Sequence, residues 1–286
     1  MYGAIIGDTL LLMMTLPITP PYTPPYTPPY TPQIRLYQDW LARERGLHFT
    51  NYDALWRWSV TDLPTFWQSV WDYFELQSPT AHSAVMAGKG MPDVQWFVGA
   101  QLNYATQVLR HAAPAHAAGF AAMISENEQG MVRELAWPEL RAQVAKLALH
   151  LKAQGVRRGD RVAAYMPNVP ETIVCALAVF SIGALWSVCA PDMGVAAVVD
   201  RFAQIEPTVL IAVGGVFYGG KALDRSATIA QLQAALPSLR HTVVLETPHS
   251  ISTAGTLGQS LQAIFDSPLD ASVLAAFEPE RSEAHV

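Results

Sequence analysis

From Gly119 onward, short apolar runs alternate with segments whose apolar residues recur at helical spacing, and this alternation limits the possible folds most. Gly119–Ser125 and Val132–Trp137 read as strands around a Glu126–Gly130 turn. Pro138 opens a helix carrying Leu140, Val144, Leu147 and Leu151, which stops at Gly155. There follow a strand at Arg161–Met166, a helix at Glu171–Ile182, a strand at Leu185–Ala190, a helix at Val195–Ile205 and a strand at Thr208–Val213. A helix at Ser226–Leu236 and a strand at His241–Glu246 complete the run. Apolar strands separated by such helices predict an α/β fold with a doubly wound, mostly parallel sheet covered on both faces. The 171–182 helix is apolar on all sides and must lie between layers. Ligands of such sheets bind beyond the carboxyl ends of the strands. The loops after Met166, Ala190 and Val213 are therefore the expected functional loops.

Upstream the texture differs. Leu63, Phe66, Trp67, Val70, Trp71 and Phe74 form the stripe of an amphipathic helix, with Thr61 or Asp62 as cap and Pro64 in the first turn. An aromatic stripe of this kind is expected as core or docking face. Further upstream, Pro20 to Pro32 repeats Pro-Pro-Tyr-Thr. Proline without amide hydrogens favours extended polyproline II and forbids a helix or a central strand. The repeat reads either as a ligand for a proline-recognising surface or as a passive tether. The apolar stretch at 4–16 is broken by Asp8, is too short to span a bilayer and lacks a basic start, so neither export nor stable membrane insertion is expected.

Of the 286 residues, 51% are hydrophobic and only 15% charged, with a formal net charge of −6. That composition permits a large core, argues against general nucleic-acid binding, and leaves an apolar excess that something else can cover. Cys175 and Cys189 fit neither a disulfide framework nor a zinc pattern, so a cytoplasmic location is expected. Familiar catalytic patterns are missing. Gly215, then Gly220-Lys221, imitates a nucleotide-binding loop, but Ala222 stands where a hydroxyl is needed, which leaves a glycine turn carrying one lysine. Asp192 reads as a helix N-cap or a ligand contact, and Asp200-Arg201 as an ion pair or cap partner.

Taken in order, several segments resemble the amino-terminal region of acetoacetyl-CoA synthetases. They include Tyr52-Asp-Ala-Leu-Trp-Arg-Trp-Ser59, Phe66-Trp67, Met91-Pro92, Trp96-Phe97 and Gly99-Ala-Gln-Leu-Asn-Tyr-Ala105. Gly159-Asp160-Arg161-Val162, Pro167-Asn168-Val169-Pro170-Glu171, Gly183-Ala-Leu-Trp-Ser187, Pro191-Asp192-Met193-Gly194, Asp200-Arg201-Phe202 and Gln204-Ile205-Glu206-Pro207 continue it. The resemblance runs from about Arg35 to Leu245. It implies a helical or irregular cap region at 34–118 and part of an adenylate-forming ligase domain at 119–277, while composition reads 1–33 as a disordered Pro/Tyr/Thr-rich leader and 278–286 as a polar tail.

For a complete enzyme the resemblance implies ATP, CoA and Mg2+, with acetoacetate or a related short acid activated as an acyl-adenylate before CoA displaces AMP. The phosphate loop, adenine motif and late lysine of that chemistry are expected beyond this chain, so no catalytic residue is assigned and the chain alone is expected to be inactive. Lys221, with Tyr218, resembles the family loop beside the 3′-phosphate of CoA, although Phe217 stands where an arginine would serve better. A non-catalytic CoA- or partner-binding protein built on the same scaffold is the alternative.

Overall fold

The computed structural model describes residues 31–88, 90–250 and 254–283. The apolar stretch at 4–16 and all of the repeat before Thr31 lie outside them. The chain divides into two compact units, Met1–Phe74 and Glu75–Val286.

The first unit holds three helices, α1 (Gln33–Arg45), α2 (Tyr52–Thr61) and α3 (Leu63–Tyr73). Each boundary has a local cause. Gly46 closes α1 in the left-handed conformation at φ 66°, where a side chain would be strained. The Asn51 side chain accepts from the Ala54 amide to start α2, and Asp62 accepts from Thr65 to start α3, with Pro64 in its first turn. The expected aromatic stripe is thus on α3. Ser69 is buried between helices and bonds Tyr37 at 2.6 Å.

The second unit begins with the hairpin β1 (Ala84–Ala87) and β2 (Gln95–Val98), then β3 (Gln101–Leu102), α4 (Tyr104–Leu109) and α5 (Ala112–Ala117). β4 (Met123–Glu126) and β5 (Val132–Leu135) form an antiparallel pair, followed by α6 (Trp137–Ala153). Then come β6 (Arg161–Tyr165), α7 (Pro170–Ser181), β7 (Leu185–Cys189), α8 (Val195–Ala203) and β8 (Val209–Val213). A hairpin of β9 (Gly215–Tyr218) and β10 (Lys221–Asp224) leads to α9 (Ser226–Ala235), β11 (His241–Leu245) and β12 (Gln259–Ser260). Short helices α10 (Leu261–Asp266) and α11 (Ala271–Ala276) and the strand β13 (Ser282–Glu283) follow.

Strands β12-β11-β8-β6-β7 make one five-stranded sheet, parallel throughout. β7 and β8 flank β6 on opposite sides, so the winding reverses there. Right-handed crossovers then put α7 on one face and α8 on the other. Side chains alternate between the faces with strand period two. Val162, Ala164, Val209, Ile211 and Val243 pack with α6, α7 and α10, while Ala163, Tyr165, Leu210, Ala212 and Val244 pack with α8 and α9. All five residues of β8 are fully buried, which is why that strand reads as an unbroken apolar run. α7 is largely enclosed, with Val174, Cys175, Leu177, Ala178 and Val179 buried, although Ile173 near its start is exposed.

The polar residues after Phe277 carry no strand pattern, yet Ser282–Glu283 pairs antiparallel with Gln101–Leu102. Asn103 anchors that return. Its amide donates at 2.6 Å to the carbonyls of both Phe180 and Glu280, and its oxygen accepts from Ala105. Lys152 adds an ion pair to Glu280 at 2.6 Å, a half-exposed contact of small worth. Asn103→Ala strands two carbonyls and one amide in a buried place. It should cost about 1–3 kcal/mol, read as a lower urea midpoint, and speed tryptic cleavage after Arg281.

Candidate functional site

The three loops expected to matter converge. A cavity of about 620 Å3 opens beyond the carboxyl ends of β6, β7 and β8, within the range of small-molecule sites. Pro167–Glu171 after β6, Ala190–Asp192 after β7 and Val216–Tyr218 in β9 each form part of the wall. The end of β4 and the β4–β5 turn supply the opposite rim through Ser125–Glu128. The cavity sits where the winding reverses at β6, because the crossovers diverge there and leave a crevice.

Tyr165 braces this crevice. The ring is buried in the α8–α9 core, and its hydroxyl donates to the Pro191 carbonyl at 2.6 Å. Burial pushes the phenol above its ordinary range, the Arg225 charge opposes this, and Asp192 and Cys189 add to it. The loop after β7 is therefore tied to the sheet through a neutral hydroxyl. Asp192 does not cap α8. Gly194 holds the cap position, with no side-chain bond, and Asp192 faces the cavity instead. Asp200 and Arg201 form no ion pair among the described residues; the Asp200 carbonyl accepts from Gln204.

The supposed nucleotide loop is the β9–β10 hairpin. Tyr218 and Lys221 are register partners across it, so their side chains share one face, with Cβ atoms about 5 Å apart. Gly219 and Gly220 make the two-residue turn at φ 59° and 74°, the left-handed pair a tight hairpin needs. Their amides point outward and donate to the Glu128 carboxylate at 3.1 and 3.2 Å, bridging the two rims. Tyr218 and Phe217 line the cavity, whereas Lys221 is exposed beside it. The Phe217 ring lies 5.6 Å from that of His249.

Charge inside the cavity is mixed. Glu126, Glu128, Glu171 and Asp192 face Arg133 and Arg225. Arg133 is held by Glu171 at 2.6 Å, and Glu171 lies in the first turn of α7, where the helix dipole favours a carboxylate. Arg225 escaped the sequence reading. Its Nε is buried without a hydrogen-bond partner, a costly state for a cation unless an anion joins it. The only sequence signal for it is its place just before the helix start at Ser226. Both cysteines are free and buried, and burial pushes the Cys175 thiol far above its usual range. Among the described residues, no group of three His, Cys, Asp or Glu side chains is placed to hold a metal ion. No described helix is long and apolar enough to cross a membrane.

Comparison with known proteins assigns residues 109–277 to the AMP-binding enzyme family and residues 52–108 to the acetyl-coenzyme A synthetase N-terminus family. An acetoacetyl-coenzyme A synthetase from Rhizobium meliloti is 39% identical over 198 residues, covering 69% of this chain and 30% of that protein. The acetoacetyl-CoA synthetase of Macaca fascicularis is 38% identical over 202 residues, 70% of this chain and 30% of its own length. A malonamoyl-CoA synthetase from Penicillium aethiopicum is 34% identical, covering 72% and 29%. Among solved structures, acetoacetyl-CoA synthetase from Streptomyces lividans superposes with a TM-score of 0.76 at 37% identity, covering 87% of this chain and 37% of that one. The chain thus spans about a third of the length of such relatives.

Tyr165→Phe removes the hydroxyl and strands the buried Pro191 carbonyl. The variant should lose about 1–2 kcal/mol in urea unfolding, and exchange of the Met193 and Gly194 amides with solvent should quicken selectively.

Proposed function

The chain belongs to the AMP-binding enzyme family, and on that premise we propose that it is the coenzyme-facing, amino-terminal part of an acetoacetyl-CoA synthetase. The reaction proposed for the whole enzyme has two steps. Acetoacetate attacks the α-phosphorus of ATP, releasing pyrophosphate and leaving an acyl-adenylate. The thiol of CoA then attacks the acyl carbon and AMP departs. Among the described residues no cluster fits a magnesium site, so no step is derived through Mg2+, and the adenylation centre is assigned to residues beyond this chain. The acid is proposed from the names of the relatives. The malonamoyl-CoA relative is 34% identical, so this region does not by itself select acetoacetate. A cytoplasmic location goes with the proposal, since the reaction needs ATP and CoA together.

The observation that carries the reading is the cavity at the winding reversal, with its mixed rim and the half-buried Arg225, whose Nε is buried without a hydrogen-bond partner. Tyr218 gives an aromatic face at the rim, 55% exposed, suited to a nucleotide base. Lys221 gives a mobile positive charge on the same hairpin face for a phosphate. The turn amides of Gly219 and Gly220 already donate to a carboxylate, so they are oriented for an anion and Glu128 competes for them. Arg225 is placed to neutralise charge deeper in the cavity.

Calorimetry with CoA and with dephospho-CoA, which lacks the 3′-phosphate, tests the reading. Lys221→Ala should weaken CoA binding about 3–10-fold, as expected for one charge-assisted contact, and change dephospho-CoA binding less than about twofold. Equal losses would remove Lys221 from the phosphate site. Acetoacetate-dependent ATP–pyrophosphate exchange should be absent from this chain, and clear exchange would contradict the assignment of adenylation elsewhere. CoA binding with unchanged affinity in Lys221→Ala, Tyr218→Ala and Arg225→Ala would overturn the site itself.

A further inference from the structure

The ligase reading leaves one sequence feature and one surface unexplained, and both belong to the first unit. Between α1, α2 and α3 lies a groove of about 300 Å3 with aromatic walls, among them Tyr37, Tyr52, Trp56, Phe66 and Tyr73. Part of the wall is rigidly held. Tyr37 meets Tyr73 edge-on at 5.1 Å and shares a hydrogen bond with Ser69, and Phe66 meets Trp58 edge-on at 5.5 Å. The other part stands open. Tyr52, Leu55, Trp56 and Ser59 follow helical spacing along one face of α2. Tyr52 is 63% and Trp56 53% exposed, and neither has an aromatic partner among the described residues.

Flat aromatic rings spaced along a groove are what proline-rich segments recognise. The polyproline II helix stacks its rings on them and loses little entropy because it is already extended. Such a segment adjoins the groove. The Pro-Pro-Tyr-Thr repeat ends at Pro32, and Gln33 and Ile34, the first residues of α1, line the groove. Pro32 itself has φ −57° and ψ 144°, within the polyproline II region. Residues 20–32 in that form would span about 40 Å, ample for several repeat units to fold back along the groove. A ligand tethered this closely has an effective concentration in the millimolar range, so even weak stacking would keep it bound.

We propose that the Pro-Pro-Tyr-Thr repeat of residues 20–32 is the occupant of the α1–α2–α3 groove in the same chain, covering Tyr52 and Trp56. The groove is then a proline-recognition site closed by its own ligand.

The test uses the full chain and a variant of it, Pro21→Ser, Pro25→Ser and Pro29→Ser, that keeps every described residue. A synthetic peptide of residues 20–32 is titrated into each by calorimetry. The triple variant should bind the peptide, and the intact chain should bind it at least about tenfold more weakly because its groove is filled. Trp56→Ala added to the triple variant should abolish binding. Tyr52→Ala serves as a second, equally exposed test should the tryptophan change perturb folding. No binding to the triple variant would overturn the proposal, as would binding that ignores both ring removals. Equal binding to the intact chain and the triple variant would show the groove open in the intact chain and overturn it as well. A dimer of the intact chain that the triple variant converts to a monomer would assign the ligand to a second copy and overturn the proposal for one chain.

Discussion

β6 hydrogen-bonds to neighbours on both edges, to β7 through Arg161–Tyr165 and to β8 through Val162–Tyr165. Because those neighbours follow it in sequence yet lie on opposite sides, the crossovers must leave by opposite faces. Two apolar cores result, divided by a sheet one residue thick. Each strand residue serves one core only, as Ala164 and Tyr165 do. The same divergence opens the crevice in which the three loops meet. The fold and the candidate site thus have one cause, the choice of β6 as the strand at which the winding reverses.

That choice left a clear trace in the amino-acid sequence. Strands buried on both faces are read from continuous apolar runs such as Val209–Val213, and the helices between them from spacing and from Pro and Gly at their ends. The loops after Met166, Ala190 and Val213 follow from the strands. What escaped is local in another way. β9 and β10 are four residues each and bounded by glycine, so they read as a single turn. α10 and α11 are six residues each and too short to show a period. β13 has two residues and no pattern at all.

Site chemistry was less legible than site position. Tyr218 and Lys221 were singled out by resemblance, and the hairpin register makes them neighbours. The bridge from Glu128 to Gly219 joins residues 91 apart, a distance at which no spacing rule applies. Arg225 declares itself only through an orphaned nitrogen, and a sequence does not show which groups lack partners. Of the two roles the sequence offers Asp192, helix cap or ligand contact, the cap is the one local preference favours. Here Tyr165 holds the loop in a different path, so tertiary contact overrides the local preference.

The closure of the second unit carries a consequence in time. Asn103 and the Glu280 carbonyl it holds are 177 residues apart in the chain. At about 5–20 residues per second of synthesis, Asn103 waits on the order of 10–35 seconds before its partner exists. During that interval β3 has no strand beside it and one acceptor of the Asn103 amide is missing. That interval is far longer than a helix or a hairpin needs to form, so local structure around β3 is complete long before the chain can close. Slow translation anywhere between residues 104 and 280 would lengthen that interval, whereas slow translation before Asn103 would leave it unchanged.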